Sequence, residues 1–510
     1  MGFLTLLSAL ALASHADLAR AINTLSVETS IGGVYGMING STPDVAAFLG
    51  IPFAEPPVGS LRFMPPQKKT AVAGRIDATQ IGPNCPQYAL TRELYPSVYT
   101  YDTPWLQPYG PWSEDCLSLN IWAPFTPQTP NNDPLPVIIW VFGGGFYEGG
   151  LQTLGMNPSN WVQRSQSHIV VAINYRNNIF GFPNSEYLAD EGMNLNMGLL
   201  DQRVAIEWVR DNIAAFGGDP GRMVMWGQSS GAASSDFFNY AYPDDPIVSG
   251  FIEESGSVFA TGVTVDLDHR NFSSVAQNLG CDGLSAKEEF SCLQQNVSAE
   301  AIIDFYSQYN LNNSVGQLHW TTMIDNVTKF SNYTERTLQR NFSMLPAIIM
   351  TNGNEQVSLI DWPGVDGPNQ TAIYEQTLSG KLCPAIYTAK QRYGVNATTF
   401  YLWNNASFPN ISPRPWEGAY HTSELPLIFG TFSDYGNVSA TTQEYATSAH
   451  WQDLYLAFMR DPENGLPNAG WPTWSPDGQT FSFGYDGEPW TLIPSQYLEE
   501  QCVGVAQTIA

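Results

Sequence analysis

Positive charge is scarce in this chain: Lys and Arg total 21 against 48 Asp and Glu, a formal net charge of -27. Beyond Lys68-Lys69 there is no basic cluster. Such a surface repels polyanions, which excludes nucleic acid and anionic membranes as expected partners. Histidine is rare too, with 6 among 510 residues. No Cys-x-x-Cys or His-x-x-x-His grouping occurs, so no metal is expected. Internal repeats and low-complexity tracts are also missing. Past the N-terminus no apolar run approaches the roughly 20 residues of a membrane span. Val137 to Phe142, for instance, is bounded by Pro136 and Gly143. The mature chain is expected to be soluble, with no integral membrane segment.

At the N-terminus itself an apolar stretch, Phe3 to Leu12, precedes small residues that suit cleavage after Ala16 or Ala21. That pattern places a signal peptide at residues 1–21 and predicts a secreted, extracellular protein. Twelve Asn-x-Ser/Thr sequons fit the secretory route and are the glycosylation candidates: Asn39, Asn271, Asn296, Asn312, Asn326, Asn332, Asn341, Asn369, Asn396, Asn405, Asn410 and Asn437. Six cysteines in an exported chain are expected to pair, and the sequence leaves their connectivity open. Cys281 and Cys292 stand close enough to close a small loop.

A hydrophobic content of 43% and 13% aromatics provide for a large core. The runs Val137 to Phe142, Ile169 to Asn174 and Met223 to Trp226 read as fully buried strands. Between them Gly198 to Phe216 repeats Leu199, Leu200, Val204, Ala205, Trp208, Val209 and Ile213 at helical spacing, and Gly217-Gly218-Asp219-Pro220 stops it. Alternating strand and helix predicts an α/β fold, a mostly parallel sheet covered on both faces, with ligands at the carboxyl ends of its strands. Residues 22–510 read as one such domain.

Directly after the third run stands Gly227-Gln228-Ser229-Ser230-Gly231, a nucleophile elbow in its required place between strand and helix. A serine hydroxyl needs a base, and histidine is the usual one. His15 leaves with the signal peptide, His168 opens a buried strand, His269 and His319 sit near sequons, and His450 lies in a helical run, which leaves His421 in a loop. In this fold class the acid falls between nucleophile and base. Glu355 follows the apolar run Pro346 to Met350 and the turn Asn352-Gly353-Asn354. Its role would be to fix the tautomer of His421. Gly143-Gly144-Gly145 follows the first strong strand, so the amides of Gly144, Gly145 and Ser230 are the candidate oxyanion hole.

These residues resemble the type-B carboxylesterase and lipase family, to which cholinesterases also belong, within the α/β-hydrolase fold. The likeness runs over nearly the whole mature chain. It includes Phe48 to Gly59, Glu114-Asp115-Cys116-Leu117-Ser118-Leu119-Asn120-Ile121-Trp122, the glycine triplet, and Phe216 to Pro220 ahead of the elbow. It implies Ser229, Glu355 and His421 as triad and the bridges Cys85 to Cys116, Cys281 to Cys292 and Cys383 to Cys502. An ion pair of Arg62 with Glu114 and an acyl-enzyme reaction on a small-molecule or lipid ester, with no cofactor, are implied as well. In relatives that are lipases the loop closed by the first bridge is a lid; here it carries Tyr88, Tyr95, Tyr99, Tyr101, Trp105, Tyr109 and Trp112. Two rival readings stand beside this one. Some relatives have lost the serine and serve in adhesion, whereas this chain keeps all three triad positions. A cholinesterase would carry Glu immediately before the nucleophile, whereas here it is Gln228, and the cation-binding Trp has no counterpart in register.

Overall fold

A computed structural model describes residues 25–87, 110–125, 133–260, 266–312, 317–434 and 438–505. The expected signal peptide, the aromatic loop from Tyr88 to Tyr109 and the sequon at Asn437 lie outside the described residues. The strands are β1 (Ser26–Thr29), β2 (Gly32–Tyr35), β3 (Met37–Asn39), β4 (Thr42–Pro52), β5 (Arg75–Asp77), β6 (Ser118–Pro124) and β7 (Leu135–Val141). They continue with β8 (Ile169–Ile173), β9 (Gly218–Gln228), β10 (Gly250–Glu254), β11 (Ala347–Asn352), β12 (Thr399–Asn404), β13 (Gln479–Phe483) and β14 (Trp490–Pro494).

Successive side chains of a strand point to opposite faces, so a strand buried at every position has cover on both sides. This holds for β7, β8, β10, β11 and β12. They sit inside an eleven-stranded sheet of order β14-β13-β12-β11-β10-β9-β7-β8-β6-β4-β3, while β1, β2 and β5 form a small second sheet. Every neighbour from β13 across to β8 pairs in parallel. The antiparallel pairs lie toward the two edges. The fold is that of an α/β-hydrolase. The predicted helix is Met197–Asn212, tightening to a 3-10 turn at Ile213–Phe216 and ending on Gly217 at φ 86°.

Aromatic packing links the sheet to the segment that follows His421. Trp140 on β7 and Trp226 on β9 are register partners with ring centroids 4.2 Å apart, and Phe429 lies 5.2 Å and 4.9 Å from them. Phe429 closes the short helix Leu425–Phe429, all of whose residues are buried. Each such ring taken out of water contributes about 1.5–3 kcal/mol, so the loop leading into this helix is anchored at its far end.

The three disulfides join Cys85 to Cys116, Cys281 to Cys292 and Cys383 to Cys502. Arg62 makes a two-pronged pair with Glu114, at 2.5 Å and 2.6 Å, and also donates to the carbonyls of Leu293 and Val297. That guanidinium ties the first disulfide loop to the helix bridged by the second. Among the described residues no helix is long and apolar enough to cross a membrane.

Candidate active site

The elbow is tight for reasons that can be measured. A Cβ on Gly227 would lie 2.2 Å from the backbone of Gly231, and one on Gly231 would lie 2.1 Å from the carbonyl oxygen of Val141. Gly227 therefore lets β9 approach the helix Ser230–Ala241, and Gly231 lets that helix approach the end of β7, only because both positions lack side chains. Between them Ser229 takes φ 57° and ψ -122°, a conformation costly for a residue with a Cβ, and its amide donates to the Glu254 carbonyl at 2.7 Å. The strain lifts the hydroxyl off the end of the strand.

The glycine loop sits directly beside it. A Cβ on Gly143 would come within 2.9 Å of both Ser229 Cβ and Gln228 Oε1, while Gly144 and Gly145 adopt φ 112° and 63°. The loop is thus closed to larger residues and brings bare backbone to Ser229.

His421 and Glu355 meet although they are separated by 66 residues: the ring Nδ1 stands 2.5 Å from Glu355 Oε2. Backbone pairing sets this approach, since Asn354 bridges to Tyr420 and its side-chain amide donates to the carbonyls of Trp416 and Glu417. The other oxygen of Glu355 accepts from Ser255 Oγ at 2.5 Å and from the Asn352 amide at 2.7 Å. Burial pushes this carboxyl up, but the charge and hydrogen bond of His421, helped by Lys381 and Ser255, prevail and its pKa lies below the ordinary value. Burial lowers the pKa of His421 and Lys381 adds to that, against the opposing pull of Glu355. A neutral ring beside an ionised carboxylate keeps its proton on Nδ1 and leaves Nε2 as an acceptor, as a general base requires.

The structure brings Glu355 and His421 into contact but does not join the ring to Ser229. The hydroxyl of Ser229 makes no hydrogen bond among the described residues, and the partner of His421 Nε2 is Gln228 Nε2 at 3.3 Å. Catalytic hydrogen bonds in enzymes without substrate are often open and tighten only in the substrate complex.

Several residues of this site escaped the sequence reading. Ser255 and Asn352 hold Glu355, and Lys381 donates to the Ser255 carbonyl at 2.8 Å. Glu254 and Glu424 are buried behind the triad positions, Glu254 bonded to the Tyr455 hydroxyl and Glu424 accepting from Asn352 Nδ2 at 2.6 Å. Burial pushes Glu254 up to about 8 and Glu424 well above the carboxylate range. Glu148, in the glycine loop, is likewise pushed up to about 8, and its Oε2 has no partner among the described residues. The pair Glu253-Glu254 closing an otherwise apolar run was the available signal, because carboxyls are almost never placed in a strand core without a task.

An eleven-stranded, mostly parallel sheet with a strained serine at a strand-to-helix turn and a buried His-Glu pair defines the α/β-hydrolase class. Residues 23–377 match the model described as the carboxylesterase family, and the chain belongs to that family of carboxylic ester hydrolases. It is 44% identical over 443 residues to the chlorogenic acid esterase of Aspergillus niger, covering 86% of this chain and 83% of that protein. Secreted lipase 5 of Gibberella zeae is 39% identical over 476 residues, 88% of each chain. Acetylcholinesterase-1 of Trittame loki is more distant, 27% identical over 494 residues, 84% of this chain and 85% of the relative.

Proposed function

We propose that this protein is a secreted esterase that works through an acyl-enzyme on Ser229, with His421 as base and Glu355 as the acid that orients it. The observation that carries the reading is the 2.5 Å contact between His421 Nδ1 and Glu355, with the residue next to Ser229 reaching the other ring nitrogen. Ser229 Oγ attacks the ester carbonyl while His421 Nε2 takes its proton. The tetrahedral oxyanion rests on the amides of Gly144, Gly145 and Ser230, the alcohol leaves with the proton from His421, and water repeats the sequence on the acyl group.

Secretion is supported by the N-terminal stretch 1–21, the three disulfides and the relative named a secreted lipase. The mature enzyme is then the domain 22–510. Glycans are proposed at the exposed sequons Asn39, Asn296, Asn312, Asn326, Asn332, Asn341, Asn369, Asn396 and Asn405. The proposal does not extend to Asn410, which is 5% exposed and whose amide donates to the Phe432 carbonyl. Given the similarity to a chlorogenic acid esterase, hydroxycinnamoyl esters of polyhydroxy alcohols are the substrates to try first, with long-chain acylglycerols as the comparison.

A fluorophosphonate probe should label the wild-type enzyme and not Ser229→Ala, and the wild type should release hydroxycinnamic acid from chlorogenate. Equal labelling of both proteins would overturn the assignment of the nucleophile. Absence of labelling and of any ester turnover would return the chain to the class of binding modules.

A further inference from the structure

The amide of Gln228 occupies the atom through which His421 would work. Gln228 is 1% exposed, its Nε2 is 3.3 Å from His421 Nε2, and its Oε1 lies against Gly143. The orientation of this amide follows from the opposite side of the ring. Glu355 holds the proton at Nδ1, so Nε2 of the neutral ring carries a lone pair and calls for a donor. Only the NH2 end of Gln228 can supply one.

We infer that Gln228 is a positioning residue that holds the resting base in its reactive tautomer by donating to His421 Nε2, and that it yields this acceptor to Ser229 Oγ when substrate enters. This rests on the Ser229 and His421 reading above. The lone pair receives a weak neutral donor at rest and a reacting hydroxyl in turnover, so the base neither swings to Nε2-H nor gathers a proton from water. A carboxylate at the same position would do the reverse, because it favours the imidazolium.

The other titratable groups around His421 are Glu355 on the turn Glu355–Leu359, Lys381 in the segment Leu378–Leu382, Glu424 three residues along its own loop and Glu254 at the end of β10. All of them remain in place when only position 228 is changed, so a shift seen in such a variant belongs to that position.

The test is the pH dependence of kcat/KM, whose acid limb reports the free enzyme's base, for wild type, Gln228→Met and Gln228→Glu, with Ser229→Ala as control. Gln228→Met removes the donor at similar length and should raise the limb by a few tenths of a pH unit. Gln228→Glu should raise it by about one unit or more. The rate of fluorophosphonate labelling should follow the same order at a pH below the wild-type limb. Coincident limbs overturn the inference, as does a uniform loss at every pH with the limb unmoved, which is what a purely structural role produces. If Gln228→Glu fails to fold by circular dichroism, the Gln228→Met limb decides alone. Activity or labelling in Ser229→Ala strikes instead at the proposed nucleophile and is read independently of the limbs.

Discussion

At the Glu355 carboxylate, which is wholly buried, one oxygen faces the imidazole and the other takes donors from Ser255 and the Asn352 amide. An amide in its place would present an NH2 group to at least one of these donors and remove the negative charge that favours the imidazolium. Glu355→Gln is therefore expected to lose about 1,000–10,000-fold in kcat/KM with KM little changed, as measured by initial rates across ester concentration. At this scale the sequence was partly legible. Ser229 stood out by motif, His421 by elimination among few histidines, and Glu355 by chain order and a preceding strand. Ser255 did not stand out, and Gln228 stood out only as a departure from the Glu of cholinesterases, because the contacts they make are with partners 100 and 193 residues away. No local pattern encodes those distances.

Elements were most readable where burial is two-sided and purely apolar. Strands β7 and β8 and the helix from Met197 were found close to their true bounds because their periodicity has no competing signal. β10 was missed because Glu253 and Glu254 interrupt its apolar pattern, although both side chains are fully buried. The antiparallel β3, β4 and β14 carry exposed positions and lie toward the sheet edges, where hydrophobic pattern is a weaker guide. The elbow also makes a prediction at this scale. Gly231→Ala places a methyl 2.1 Å from the backbone carbonyl oxygen of Val141 at the end of β7, so β7 and the helix Ser230–Ala241 must separate. We expect a loss of about 1–3 kcal/mol in urea denaturation together with slowed fluorophosphonate labelling. Unchanged stability would mean that the helix is not held against β7 as described.

Across the whole molecule the buried carboxyls set a pH dependence of stability. Glu254 and Glu148 rise to about 8, and Asp236 and Glu444 to about 6, all chiefly through burial. Over the range between ordinary carboxyl pKa values and these raised ones the folded chain holds protons that the unfolded chain has released. Stability is then fully present at acid pH and falls as pH rises through about 6 and then about 8. His168 acts in the opposite sense: burial lowers it to about 3, so its contribution is present above its ordinary 6.5 and is lost as pH falls toward 3. The expected result is a melting temperature highest in mildly acidic buffer and lower at pH 9, measurable by calorimetry. A midpoint that climbs steadily into alkali would contradict it.

The bridge from Cys383 to Cys502 spans 119 residues, and His421 lies inside that span. During synthesis the elbow, the glycine loop and Glu355 all leave the ribosome before His421 does, and this bridge closes only when Cys502 is out. On the proposed chemistry a copy stopped short of His421 holds a nucleophile without its base, so it is inert toward esters however far the rest of the chain has folded.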